Sequence, residues 1–304
     1  YDVNSDGIVD LRDLVELLSY VTPAPLGTTS MAAALSSGPR LTDTDLETLG
    51  FNYLGDYSVP GSIQDFVIDN SVAYVLVNVV NSNDSPISQL HIVDISDPQN
   101  PRKITELDFS GRSGNITIDG ELLAITSILS ATGAKSQYQL HLVSISKTGA
   151  VDIRGSTNAI DGSPNEVVLS REFAYVAAGE GGVHVINIRN PDSPFYVTSL
   201  PTGSWASDID VVSDRAFVVD RESGLLVWNL TNPSAPSLLS RTSLLAAPLG
   251  VEVSLPYAYI ALGTYGIQVI NVRNSMYPVP ATVYSSKSAV TSISVAANNL
   301  VFAD

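Results

Sequence analysis

From about Phe51 to Asp304 the chain alternates short runs of β-branched and aromatic residues with clusters of Gly, Pro, Asn, Asp and Ser. Apolar residues nowhere recur there at helical spacing, so the pattern predicts strands and turns. The runs come in fours. In the first set Gln64–Asp69, Val72–Val77, Leu90–Ile95 and Arg102–Asp108 read as strands a, b, c and d. Strands a to c are apolar at both parities, the signature of a strand covered on both faces. Residues 1–21 differ: a carboxylate-rich start leads into Leu11–Tyr20, where Leu14, Leu17, Leu18 and Val21 form one helical stripe. Residues 22–50, rich in Pro, Gly, Ser, Thr and Ala, read as a linker. The organisation expected is therefore a small α-helical segment at 1–21, a linker at 22–50 and an all-β domain at 51–304.

The β region repeats itself. Leu90–Pro101 (LHIVDISDPQNP), Val183–Pro194 (VHVINIRNPDSP), Leu225–Pro236 (LLVWNLTNPSAP) and Ile267–Pro278 (IQVINVRNSMYP) superimpose without gaps, and Leu140–Ala150 is a degenerate copy. Asn190, Asn232 and Asn274 are 42 residues apart, as are Tyr175, Phe217 and Tyr259 in the strand ahead of them. A repeat of roughly 40–45 residues with four short strands has the period of a β-propeller blade. In the turn between strands c and d, proline pre-sets φ and the Asn or Asp side chain caps the backbone. The first two repeats are longer, with the surplus at Val79–Gln89 and Ser127–Gln139. A last copy offers only strands a and b before Asp304, while Phe51–Gly61 reads as an outer strand of a closing blade. Six blades is the leading count and seven the alternative. The expected partner is a strand from a longer native chain or a neighbouring subunit that completes the last blade.

The c-strand motif, with its AYVA-type strand upstream, resembles the LVIVD-repeat β-propellers over residues 51–304. That resemblance implies the fold and a secreted or surface protein; it implies no reaction, because activity is not carried by a fold.

Composition narrows the chemistry. Acidic residues outnumber basic ones 31 to 15, giving a net charge of −16. A nucleic-acid partner is not expected, since there is no positive field to displace counterions. Hydrophobic residues at 44% allow a packed core, and no apolar run is long enough to span a bilayer. With no cysteine, thiolate metal sites and cysteine nucleophiles are excluded, and with three histidines most histidine-based metal sites are hard to assemble.

One strict motif lies at the start. Residues 2–13 read D-V-N-S-D-G-I-V-D-L-R-D and fit the loop D-x-[DN]-x-[DN]-G-x5-[DE]. Asp2, Asn4 and Asp6 place oxygens at alternate positions, Gly7 permits the bend, the Ile8 carbonyl turns inward and Asp13 arrives from the helix. That set suits Ca²⁺, which takes six to eight oxygens. The loop with its first helical turn resembles a dockerin type I half-repeat, and the resemblance implies a cohesin-like partner. Dockerins carry two such loops; Thr42–Glu47 has acids but no glycine turn.

Within the repeats, strand a aligns Asp65, Asn115, Glu166, Asp208, Glu252 and Ser292. In a propeller these positions border the axial channel. The four carboxylates Asp65, Glu166, Asp208 and Glu252 form either a channel-rim site for a cation or polar ligand, or backbone-amide acceptors on the adjoining blade. His91, His141 and His184 fall at one equivalent position in successive repeats, which favours packing between blades over a shared metal. No nucleophile elbow or phosphate loop is present; the Gly179–Gly182 run sits in a b–c hairpin with no helix after it. The function expected is a non-enzymatic, extracellular or cell-surface protein of a bacterium or archaeon. It would bind calcium and serve interaction, adhesion or assembly. The alternative is a secreted enzyme acting on polysaccharide or another polymer at one propeller face.

Overall fold

The computed structural model describes residues 57–80, 86–129, 136–146, 150–286, 288–296 and 299–303. The expected calcium loop (Asp2, Asn4, Asp6, Ile8, Asp13), the helix and linker expected after it, and residues 51–56 lie outside the described residues. Two compact units divide between Ser113 and Gly114.

Every regular element among the described residues is a strand. In the first unit β1 (Ser62–Asp69), β2 (Val72–Val80), β3 (Pro86–Asp94) and β4 (Arg102–Ser110) form one antiparallel sheet in chain order. The second unit continues with β5 (Arg112–Asp119), which begins at the division, β6 (Leu122–Leu129), β7 (Gln137–Ile145) and β8 (Val151–Ser156). A two-residue strand β9 (Ile160–Asp161) adds to β7 in this sheet. Three further four-stranded sheets follow. They are β10 (Glu166–Ser170), β11 (Phe173–Ala177), β12 (Val183–Asn187) and β13 (Phe195–Leu200), then β14 (Ala206–Val212), β15 (Arg215–Asp220), β16 (Gly224–Asn229) and β17 (Ser237–Thr242). The next comprises β18 (Gly250–Ser254), β19 (Tyr257–Ala261), β20 (Ile267–Asn271) and β21 (Val279–Tyr284). β22 (Ser292–Ala296) pairs with β23 (Asn299–Ala303) in a two-stranded sheet.

In the two long repeats much of the surplus lengthens strands. β2 and β3 pair out to Val80↔Pro86, and β6 and β7 out to Leu129↔Gln137. Elsewhere the b–c hairpin is tight, and a glycine makes it so. Gly182, Gly224 and Gly266, 42 residues apart, have φ of 72°, 79° and 80°. A Cβ on Gly224 would stand 2.3 Å from the Thr242 carbonyl oxygen, and one on Gly266 would stand 2.0 Å from that of Tyr284. No L side chain fits there.

The c–d turns that carry the Asn/Asp pattern are held by two successive side-chain caps, as that pattern predicts. Asn187 accepts from the Arg189 N–H and Asn190 from the Asp192 N–H; Asn229 and Asn232, then Asn271 and Asn274, repeat the pair.

Within the second unit the core lies between successive sheets. Tyr138, Leu140 and Leu142 pack on Val167, Val176 and Ile186; Val185 and Leu200 on Ile209 and Leu226; Val219 and Val227 on Val251 and Ile260; Ile267 on Val290. Each fully buried side chain of this size contributes about 1.5–3 kcal/mol. The outer strand β17 is part covered, whereas β21 is exposed at all six positions.

Candidate functional site

The expected rim residues lie on the first strand of their sheets. The pairing of β1 shifts between Ile63 and Asp65, and that of β14 between Ala206 and Asp208. A bulge disturbs the ladder, and the carboxylate takes up a nearby donor. Asp65 Oδ1 accepts from the Phe66 N–H at 2.9 Å, Asp208 Oδ1 from Ile209 at 2.7 Å and Glu166 Oε1 from Val167 at 2.9 Å.

Register separates Glu252 from this set. Asp210 pairs with Phe217 and Glu252 with Tyr259, so Glu252 matches Asp210, and Gly250 stands where Asp208 does. Matching Glu252 to Asp208, 44 residues away, pairs a carboxylate with a carboxylate and misses the 42-residue step by two residues. Both registers keep the same strand face, since side chains alternate with period two.

Three of these carboxylates reach across to the next sheet. Asp208 Oδ2 accepts from the Val251 N–H at 2.7 Å and Asp210 Oδ2 from the Val253 N–H at 2.7 Å. Glu252 accepts from the Val295 N–H. One stitch therefore recurs at a step of 43 residues, joining β14 to β18 and β18 to β22. Amides serve the same purpose earlier: Asn115 Nδ2 donates to the Asn165 carbonyl at 2.9 Å and Asn165 Nδ2 to that of Ala206 at 2.8 Å.

The carboxylate half of this seam carries an electrostatic cost. Burial pushes Asp208 up from the ordinary carboxylate range; the Val251 and Ile209 amides oppose it, and the charges of Asp210 and Glu252 reinforce it. Asp210 is raised by burial against its amide bonds to Val253 and Val211. Glu252 is pushed up to about 7 by burial and by the charge of Asp210, against the Val295 amide. Asp210 is the member that sequence reasoning missed, although its place two residues after Asp208 puts both on one strand face.

The histidines pair with equivalent partners, Val75↔His91, Ile125↔His141 and Val176↔His184, and each is buried. His91 Nδ1 lies 3.2 Å from the Tyr57 hydroxyl; His141 lies 2.7 Å from both Ser127 and Ser156; His184 Nδ1 lies 2.9 Å from the Tyr138 hydroxyl. Burial lowers His141 and His184 to about 4, so both rings are neutral at pH 7. Among the described residues no three His, Cys, Asp or Glu side chains are grouped to hold a metal ion. No helix there is long and apolar enough to cross a membrane.

A succession of four-stranded antiparallel sheets in chain order, each packed on the next within the second unit, is an architecture consistent with a β-propeller. The LVIVD repeat model matches residues 87–107, 161–202 and 203–243, which supports the LVIVD repeat family. No curated protein matches the chain. Among solved structures, the crystal structure of the computationally designed Ika8 protein is similar at 11% identity and a TM-score of 0.50, over 80% of this chain and 81% of that one. At that identity the likeness concerns the fold alone.

Proposed function

We propose that the chain is an extracellular or cell-surface β-propeller, of six blades or alternatively seven, that works by interaction: adhesion, scaffold assembly or a structural surface layer. The observation that carries this reading is an exposed outer strand. β21 is open at every position although it includes Val279, Val283 and Tyr284. A neighbouring subunit packed on β21 would cover it. The twelve-residue loop at 2–13 adds a dockerin-like Ca²⁺ half-site and with it a cohesin-like partner. A hydrolase with its site on one face is the second reading. The raised pKa of Glu252 is the feature that favours it, yet both oxygens of Asp208 are taken by backbone donors.

Light scattering coupled to size-exclusion chromatography tests the assembly. Self-association that rises with concentration and is weakened by Val283→Lys is the expected outcome. A monomer at every concentration, with Val283→Lys indistinguishable from wild type, would count against assembly through this edge.

A further inference from the structure

Repeats that agree with one another mark the scaffold, and departures from the repeat mark candidate sites, because insertions gather where ligands bind. Two departures meet in the second unit. The first is the connection from β8 to β10, residues 157–165. Its nine residues compare with five between β13 and β14 and seven between β17 and β18. It is also pinned. Thr157 exchanges hydrogen bonds with the backbone of Leu140 at 2.9 and 3.0 Å, the Gly162 N–H donates to the Ser136 carbonyl at 2.9 Å, and Gln137 Nε2 donates to Asp161 Oδ1 at 2.7 Å. A wall held this way loses little entropy on binding.

The second departure faces it. β13 opens with Phe195 and Tyr196, 56% and 45% exposed, where β17 has Ser237 and Leu238 and β21 has Val279 and Pro280. Between the two lies a cleft of about 630 Å³, lined by Asn158, Asp161, His184, Pro194, Phe195 and Tyr196 among others. That volume suits a small ligand. His184 forms the floor. Its ring stacks on Tyr138 with an interplanar angle of 11° and meets Tyr196 edge-on at 5.5 Å, so it fixes the Tyr196 ring. Its nitrogens are already engaged by the Tyr138 hydroxyl and the Gly181 backbone.

We infer that this cleft binds a neutral saccharide, with the apolar face of a pyranose on Tyr196 and its hydroxyls on Asp161 and Asn158. The chemistry selects that class. Neither Lys nor Arg lines the cleft and the chain carries a charge of −16, so an anion finds no counter-charge. A carboxylate that accepts, next to an amide that both donates and accepts, matches hydroxyl groups. The flat, half-exposed Tyr196 ring matches the CH face of a sugar. A cation would use the carboxylate and the rings but has no need of the amide. This site is separate from β21, so either reading can fail alone.

The experiment is saturation-transfer NMR and calorimetry on the full chain with cellotriose, maltotriose and triacetylchitotriose. At least one of the three should bind, with transfer strongest at the ring protons. Tyr196→Ala and Asp161→Ala should each weaken binding tenfold or more, while Tyr196→Phe retains it and all three variants keep the wild-type melting temperature. Failure of all three sugars at 10-fold molar excess over millimolar protein overturns the assignment. So does binding that survives both alanine variants, or binding of choline at the cleft in place of the sugars.

Discussion

Replacing Glu252 with Gln tests the physics of the seam directly. The amide oxygen still accepts from the Val295 N–H, so the stitch is kept while the ionisable proton is removed. In the folded chain Glu252 is raised from an ordinary 4.5 to about 7, by burial first and the charge of Asp210 second. A raised carboxylate binds more protons folded than unfolded, so it lowers stability as pH climbs from about 4.5 to about 7 and leaves a constant penalty above that. At about 1.4 kcal/mol per pH unit the ceiling is about 3 kcal/mol, and partial exposure to water brings it nearer 1–2 kcal/mol. Gln removes the penalty and also relieves Asp208, whose carboxyl feels the Glu252 charge. Thermal unfolding from pH 4.5 to pH 8 should therefore show a melting temperature that falls with pH in the wild type and falls less in Glu252→Gln. The two curves should meet near pH 4.5 and separate by roughly 2–6 °C at pH 8. Parallel curves across the whole range would refute the account, because they would mean that Glu252 titrates alike in both states.

Gly224→Ala places a Cβ against the Thr242 carbonyl at a φ of 79°, and should cost about 2–4 kcal/mol by denaturant titration; a change under about 0.5 kcal/mol would show that the b–c hairpin relaxes freely. Calorimetry with calcium should give heat for wild type and none for Asp6→Ala, and at 100-fold saturation a single site should stabilise its own module by about 2.7 kcal/mol; equal heats for both proteins would remove Asp6 from the loop.

Much of the fold was legible because its signals are local. Alternation and turn residues located strands a to d of the first sheet to within a few residues, and the Asn/Asp pairs of the c–d turns cap as their side-chain chemistry requires. The glycines at 182, 224 and 266 carried the same period as Asn190, Asn232 and Asn274, and were there to be used. The seam was less legible. Which donor a carboxylate reaches depends on the neighbouring sheet some 43 residues away, and on a bulge that no propensity announces. Matching Glu252 to Asp208 by residue type gave the wrong register for that reason. The cleft was not legible at all, because β9 exists only by virtue of the long β6–β7 hairpin, whose extension gives Ile160 and Asp161 something to pair with.

Substitutions inside the repeat show how the fold tolerates change and where it does not. At the turn after β11 and after β19 a glycine takes a left-handed conformation, Gly179 at 61° and Gly263 at 56°. The equivalent residue after β15 is Arg221, which cannot do so cheaply. Asp220 takes over: buried, it accepts from the backbone N–H groups of Glu222, Ser223 and Ser204. Burial alone would raise this carboxyl, but those bonds outweigh it and hold it below the usual range. Two solutions to one turn thus exist side by side, one conformational and one electrostatic, and the second frees the Arg221 guanidinium to lie 4.9 Å over the Trp205 ring. The scaffold constrains what each position must accomplish and leaves open which residue does it. A position whose substitution is fully answered by a neighbour, as Arg221 is by Asp220, is structural. Phe195 and Tyr196 are a different case: two large rings stand half in water where β17 carries Ser237 and Leu238 and β21 carries Val279 and Pro280, and the change that faces them, the longer β8–β10 connection, lines a cleft with them instead of covering them.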